Sequence, residues 1–376
     1  MIILFTLEYN MRIFKLVIYR YIILTSMFTL GLLSLGIQVS GQDSLTSKEW
    51  VALPILYYTP ETSLAFGMGS ILSFYPKGTS NEFKNRASFL QAGLLYTLEQ
   101  QLLTYFSWNI YNPEKKWELA GELGYYKFSY DYWGIGNQTN AEYVESYGIS
   151  YPRLRLNPKW LITDRLGLGL ALNLDYYYNI DLAEGGKLNL ENVAGIEGGF
   201  VNGIGLNLSY DSRDHTTFPL SGLFLNAKGV NYDKFLGSEY DFSSLELDFR
   251  YFKTVQYSWI WASQLFVQLN NGNIPFYNLA LLGGAKNMRG YLKGRYRDDN
   301  AWTVQTEMRI PVWKRFFIVP FIALGDVFSE GSNSHIKWAG GGGLRYTVKQ
   351  DKRINIRLDA GYGESFQFYF SILEAF

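Results

Sequence analysis

Phe366-Gln367-Phe368-Tyr369-Phe370-Ser371-Ile372-Leu373-Glu374-Ala375-Phe376 ends the chain, and its alternation decides the fold. Counting from Phe366, every second side chain is apolar except Glu374, so Phe366, Phe368, Phe370, Ile372 and Phe376 share one face of an extended segment. Such a face suits a strand with one side in lipid. A terminal Phe by itself says little, and the weight comes from repetition of the pattern upstream.

From Trp302 to Ile310, the residues Trp302, Val304, Thr306, Met308 and Ile310 alternate with Thr303, Gln305, Glu307 and Arg309. Leu245, Leu247, Phe249 and Tyr251 alternate with Glu246, Asp248 and Arg250, and Ile354, Ile356, Leu358 and Ala360 with Asn355, Arg357 and Asp359. Charges recur on the second face of each strand. A soluble sandwich would place that face in water. Against it, Trp259, Trp261, Trp302, Trp338 and Tyr346 sit near strand ends like interfacial girdles, and short turns alternate with longer polar loops.

Composition agrees with a membrane barrel. Aromatics make up 18% of the 376 residues, more than a soluble core needs. Zero net charge gives no nucleic-acid footprint. Without cysteine there is no disulfide, thiolate metal site or lipoprotein anchor, and two histidines make a histidine-rich metal site unlikely, so no cofactor is expected.

Residues 1–41 read as a signal peptide, with Met11 as an alternative start: Arg12, Lys15 and Arg20 precede an apolar run from Ile22 to Ile37, and Val39-Ser40-Gly41 offers small residues for cleavage. The alternative is an uncleaved anchor helix, but the run falls short of the roughly twenty residues a spanning helix wants. Residues 42–61 are expected to be a short periplasmic segment, and 62–376 the outer-membrane barrel. The fold class expected is all-β, a transmembrane antiparallel β-barrel. Fifteen strands can be traced between 62 and 376, and closure needs an even number. Sixteen is the expected total, with the hidden strand sought within 179–200.

Around 275–313 the chain becomes specific. Leu282-Gly283-Gly284-Ala285-Lys286-Asn287-Met288-Arg289-Gly290-Tyr291 is followed by Arg295-Tyr296-Arg297-Asp298 and Glu307-Met308-Arg309-Ile310-Pro311; upstream lie Tyr210-Asp211-Ser212-Arg213-Asp214 and Phe218-Pro219-Leu220-Ser221-Gly222. In this order the motifs resemble the BamA/TamA family of the bacterial surface antigen superfamily, most strongly over 200–376, and the last strand resembles the C-terminal recognition strand of outer-membrane barrels. The resemblance implies that the loop near 271–301 tucks into the lumen, with Met288, Arg289, Gly290 and Tyr291 as its motif and Glu307 as anchor of Arg289. A second acid is expected in a Phe-x-Asp-x-Gly pattern, but Ala323 stands there. Glu307, helped by another lumen acid, would then hold the loop.

The resemblance further implies insertion or translocation of polypeptide clients through a seam between first and last strands, placed at Thr62–Phe74 and Phe366–Phe376, with Gly67 and Gly69 weakening the first. In that family periplasmic POTRA domains hand over clients, and residues 42–61 are too few for one, so a barrel without POTRA domains is expected, either served by a separate periplasmic partner or doing something other than assembly, with client proteins and outer-membrane lipids as its further partners. A passive pore or structural surface barrel is the alternative, and an esterase through Ser212, Asp214 and His215 a third class.

Overall fold

The computed structural model describes residues 48–77, 87–191, 193–349 and 353–372. The expected signal peptide and Phe376 lie outside them. Among the described residues the chain forms β1 (Glu49–Thr59), β2 (Ser63–Phe74), β3 (Ser88–Thr97), β4 (Leu102–Tyr111), β5 (Trp117–Tyr132), β6 (Glu145–Leu161), β7 (Leu166–Asp181), β8 (Gly199–Asp211) and β9 (Gly222–Tyr232). It continues as β10 (Phe242–Thr254), β11 (Ile260–Gly272), β12 (Ala280–Leu282), β13 (Tyr296–Asp298), β14 (Asn300–Trp313), β15 (Phe316–Phe328), β16 (Lys337–Lys349), β17 (Ile354–Tyr362) and β18 (Phe366–Ile372). Sixteen of these close into one antiparallel barrel, each beside its neighbour in sequence, with β1 meeting β18. The short β12 and β13 pair with each other inside the loop between β11 and β14.

The sixteenth strand is β1, and the stretch 182–198 is a loop carrying one helical turn at Lys187–Leu190. The barrel therefore begins before residue 62, within the segment assigned to the periplasm. In β1 the run Ala52-Leu53-Pro54-Ile55-Leu56-Tyr57-Tyr58 has no polar alternation and contains a proline, the two features that demote a strand in sequence. Part of the lumen wall here is apolar, since Ile55 lies over Gly69 of the next strand.

Burial is inverted relative to a soluble sandwich. On β14 the polar residues Thr303, Gln305, Glu307 and Arg309 are buried, while Val304 is 42% exposed. Leu206, Ile322, Leu344 and Leu358 are likewise exposed, whereas Arg345, Asn355 and Asp359 are buried. An apolar outside around an ionic inside is what hydrocarbon demands of a closed sheet.

The glycine run 340–343 in β16 has a spatial reason. Gly341 and Gly343 face inward: a side chain on Gly341 would reach to 2.7 Å from the Phe321 ring, and one on Gly343 to 2.5 Å from the Arg345 guanidinium, beside Asp359. Gly342 faces open space. Replacing Gly343 by alanine should destabilise the barrel by about 1–3 kcal/mol through overpacking, with Gly342→Ala close to neutral. The midpoint of urea unfolding in detergent, read by the heat-dependent shift in gel mobility, measures the difference.

Candidate functional site

The loop between β11 and β14 folds as an object of its own inside the barrel. Its β12/β13 hairpin registers Ala280 with Asp298 and Leu282 with Tyr296. A helical turn at Gly284–Asn287 follows, entered through Gly283 and Gly284, whose φ values of 104° and 89° exclude ordinary side chains. Leu282 and Met288 are fully buried against Ala301, Ala323 and Ala339 of the wall. These alanines leave the room that the loop fills. Ala323 thus has a packing role at the position where the resemblance expected an aspartate.

Arg289 reaches two carboxylates. Its Nη2 donates to Glu307 Oε2 at 2.8 Å, its Nη1 to Asp359 Oδ2 at 2.9 Å, and its guanidinium stacks on Phe321 with 3.7 Å to the ring centre. The second acid comes from β17. Glu307 also accepts from Arg309 at 2.9 Å, and Asp359 from Arg345 at 2.5 Å and Arg357 at 2.6 Å. Four guanidiniums converge on two carboxylates, and Arg289, Arg309, Arg345, Glu307 and Asp359 are each at most 4% exposed. Glu246 and Asp248, the acids on the charged face of β10, pair with Lys228 and Arg250 of the wall.

Further contacts fasten the loop along its length. Gly290 N–H donates to the Tyr369 hydroxyl at 3.1 Å, and Tyr291 donates its hydroxyl to Trp338 O at 3.1 Å. Burial, with Tyr296 nearby, pushes the Tyr291 hydroxyl up to about 12, so it stays a donor. Arg295 forks onto Glu364 at 2.5 and 2.7 Å; Arg297 donates to the Tyr147 hydroxyl and Asp131 O. At the base of the loop Phe276 meets the Tyr147 ring edge-on and Tyr277 stacks on Tyr177.

The opposite mouth holds a second inward element. Residues 212–221, between β8 and β9, lean across the lumen until Phe218, 3% exposed, packs edge-on against Phe317 of β15. Arg309 donates to Pro219 O at 3.4 Å and covers the Phe218 ring. Arg353, beyond β16, donates to Asp214 at 2.5 Å and to Phe218 O at 3.2 Å. Asp214 also accepts the amides of Leu220 and Ser221, a turn held by its own carboxylate. Burial pushes the Asp214 carboxyl up, but Arg353 and these amides outweigh it and hold the group below the usual aspartate range. His215 Nδ1 contacts Thr217, and the Ser212 hydroxyl donates to Leu223 O, so the described bonds assemble no Ser–His dyad.

Between β1 and β18 the described residues hold one registered pair, Tyr58 with Phe370, whereas β18 registers with β17 from Phe366 to Ile372. The correction to β1 moves the seam to Glu49–Thr59, and Gly67 and Gly69 belong to the second strand. Leu64 accepts the Leu98 amide and registers with Tyr58, so its main-chain groups face β3 and those of Tyr58 face β18. By the two-residue period Pro54 turns its nitrogen the same way, away from β2, and the position opposite it across the seam lies outside the described residues. Phe366 and Phe368 point outward, 70% and 60% exposed. The side chain of Ile372 lies outside the described residues.

Closed barrel and buried loop arginine together define a class of plugged, membrane-spanning β-barrel. The model of the Omp85 superfamily domain matches residues 66–372, and the chain belongs to that superfamily. Among solved structures it is similar to BamA from Haemophilus ducreyi lacking POTRA domains 1–3, with TM-score 0.59 and 13% identity over 87% of this chain and 70% of that one. It is also similar to CdiB from Acinetobacter baumannii (0.54, 14%, 87% and 60%) and CdiB from Escherichia coli (0.56, 14%, 87% and 63%). The chain spans about three-fifths of the two CdiB chains. At these identities the likeness shows the fold. No curated protein matches in sequence.

Sequence reasoning missed Asp359 as the partner of Arg289, along with Arg309, Tyr369, Glu364 and Glu61. Alternation did put Asp359 on the lumen face of its strand, but its proximity to residue 289 arises only on closure.

Arg289→Ala takes the guanidinium that bridges two carboxylates, leaving Glu307 to Arg309 and Asp359 to Arg345 and Arg357, and Asp359→Asn takes a carboxylate from three guanidiniums. Each should cost about 3–5 kcal/mol, as for breaking a buried pair, and expose 284–298 to added protease in intact cells. Unchanged protection would count against a fastened loop. Because the Asp214 carboxyl is depressed in the fold, its stabilising effect is full above the unfolded value of about 3.9 and is lost as pH falls through the folded one. Pepsin cleavage within 212–221 should therefore accelerate below about pH 4, and Arg353→Gln should loosen the same turn at neutral pH, read by trypsin.

Proposed function

We propose that this protein resides in the bacterial outer membrane after export and carries polypeptide clients into or across that membrane through the seam between β1 and β18. The observation that carries the reading is the contrast between axis and wall. Along the axis, the plug with its buried ion pairs and the 212–221 turn with a partly exposed one obstruct the two ends. At the seam no turn fixes the register, and among the described residues one pair is registered. The Omp85 superfamily consists of insertases and transporters, and the solved neighbours named BamA and CdiB fall within the same fold. A client strand would pair with the exposed edges of β1 and β18 by β-augmentation, where main-chain bonds supply affinity with little demand on sequence. Met288, Arg289, Gly290, Tyr291 and Glu307 set the plug, and Phe366, Phe368, Phe370, Ile372 and Phe376 form the client-facing edge. A separate periplasmic partner would deliver clients, lipids surround the wall, and no cofactor or nucleic acid enters the scheme.

Depletion in the native host should lower the level of other outer-membrane or secreted proteins, and photo-crosslinkers placed at Phe366 and Phe368 should capture them. Normal levels and no captured client would sink the proposal. In planar bilayers the intact protein should show small, erratic openings that grow when 284–298 is deleted; large steady openings before deletion would favour a passive pore.

A further inference from the structure

We propose that the plug is also a latch that straps the two sides of the seam together. This deepens the lateral-seam reading and rests on it. The argument lies in where the segment Gly290–Arg295 is fastened. On the β18 side Gly290 N–H donates to Tyr369, on that strand, and Arg295 forks onto Glu364 in the turn before it. The backbones there touch: Gly290 has a φ of 107°, and a side chain on it would come within 2.8 Å of the Tyr362 carbonyl carbon. On the β1 side the main-chain amide of Lys293 donates to Glu61 Oε1 at 2.7 Å. Glu61 belongs to the turn joining β1 to β2, which Gln101, just before β4, braces through a bond to Glu61 O at 3.1 Å.

A strap fastened at both edges of a gap holds only while both fastenings last. They are unequal. The β18 side has a hydroxyl, a forked ion pair and, through Arg289 and Asp359, the buried cluster on β17, whereas the β1 side has the single amide–carboxylate bond in partly solvated surroundings. The plug therefore stays with β17 and β18 when the seam parts, and the β1–β2 hairpin is the side that swings away. Glu61 is the release point. Charge-assisted hydrogen bonds to main-chain amides are directional, so a client strand that displaced β1 would break this bond first without disturbing Arg289.

Amide hydrogen exchange of the folded protein in lipid nanodiscs tests the idea, because exchange in protected strands tracks the open population. In the parent, β1 and β18 should exchange faster than β8 and β9. Glu61→Ala should raise exchange across 52–59 and 366–372 by about fivefold, the effect of a partly solvated charged contact, with β8–β11 unchanged. Glu61→Gln, which keeps the side chain's length and removes its charge, should raise exchange in the same segments by a smaller factor if Glu61→Ala folds poorly. Tyr147→Phe removes a plug contact remote from the seam and should leave seam exchange at the parent level. Fast parent seam exchange that neither glutamate variant alters overturns the latch and leaves the seam reading standing. An equal rise in Tyr147→Phe also overturns the latch, by showing general loosening. Parent strands β1 and β18 as protected as β8 and β9 would overturn the seam reading itself.

Discussion

Hydrocarbon offers no partner to a peptide N–H or C=O, so a sheet that spans it must bond every strand on both sides, and only closure achieves that. Everything else in this molecule follows from the closure. The alternation that places Val304 or Leu358 outward also drives Glu307 and Asp359 inward, where water is replaced by the plug. An interior so built cannot be apolar throughout, and the charges it collects need partners. The wall supplies most of them and the plug adds Arg289, which joins two of the acids.

The cluster of Arg289, Arg309, Arg345 and Arg357 around Glu307 and Asp359 is expensive to bury and weak as a source of net stability. Its value is specificity. Leu282 and Met288 would accept several positions against a wall of alanines, whereas a guanidinium shared between carboxylates on β14 and β17 accepts one. Glu307 has a second consequence. Its other oxygen holds Arg309, which donates to Pro219 O and covers Phe218. One carboxylate thus sits between the elements that obstruct the two ends of the lumen.

Fifteen of the sixteen barrel strands were legible because one face in lipid and one on charged side chains write a two-residue period into the chain. The exception, β1, lacks that period because part of the wall beside it, Ile55 over Gly69, is apolar on the lumen side as well. Glu307 could be read as the anchor because a motif carries it, but Asp359 could not. The acid expected at 323 is replaced by alanine, which packs under Met288, and the replacement comes from a strand 36 positions further on that only barrel curvature brings near. The reason for the glycines at 341 and 343 is hidden from the sequence in the same way. What occupies their missing side-chain space, Phe321 and the Arg345–Asp359 pair, belongs to other strands.

A closed sheet has one junction whose partners come from opposite ends of the chain, and there no tight turn fixes the register. In this barrel that junction also carries Pro54, whose ring removes a donor on the side away from β2. At β15 and β16 the wall takes glycines and a proline without losing its register, because neighbouring pairs and the lumen cluster hold it. The same defect has more effect at a junction that no turn holds. Weakness there is therefore a property of placement as much as of residue type. A protein that must hide every backbone group from lipid can open sideways only where it has the fewest such groups to uncover.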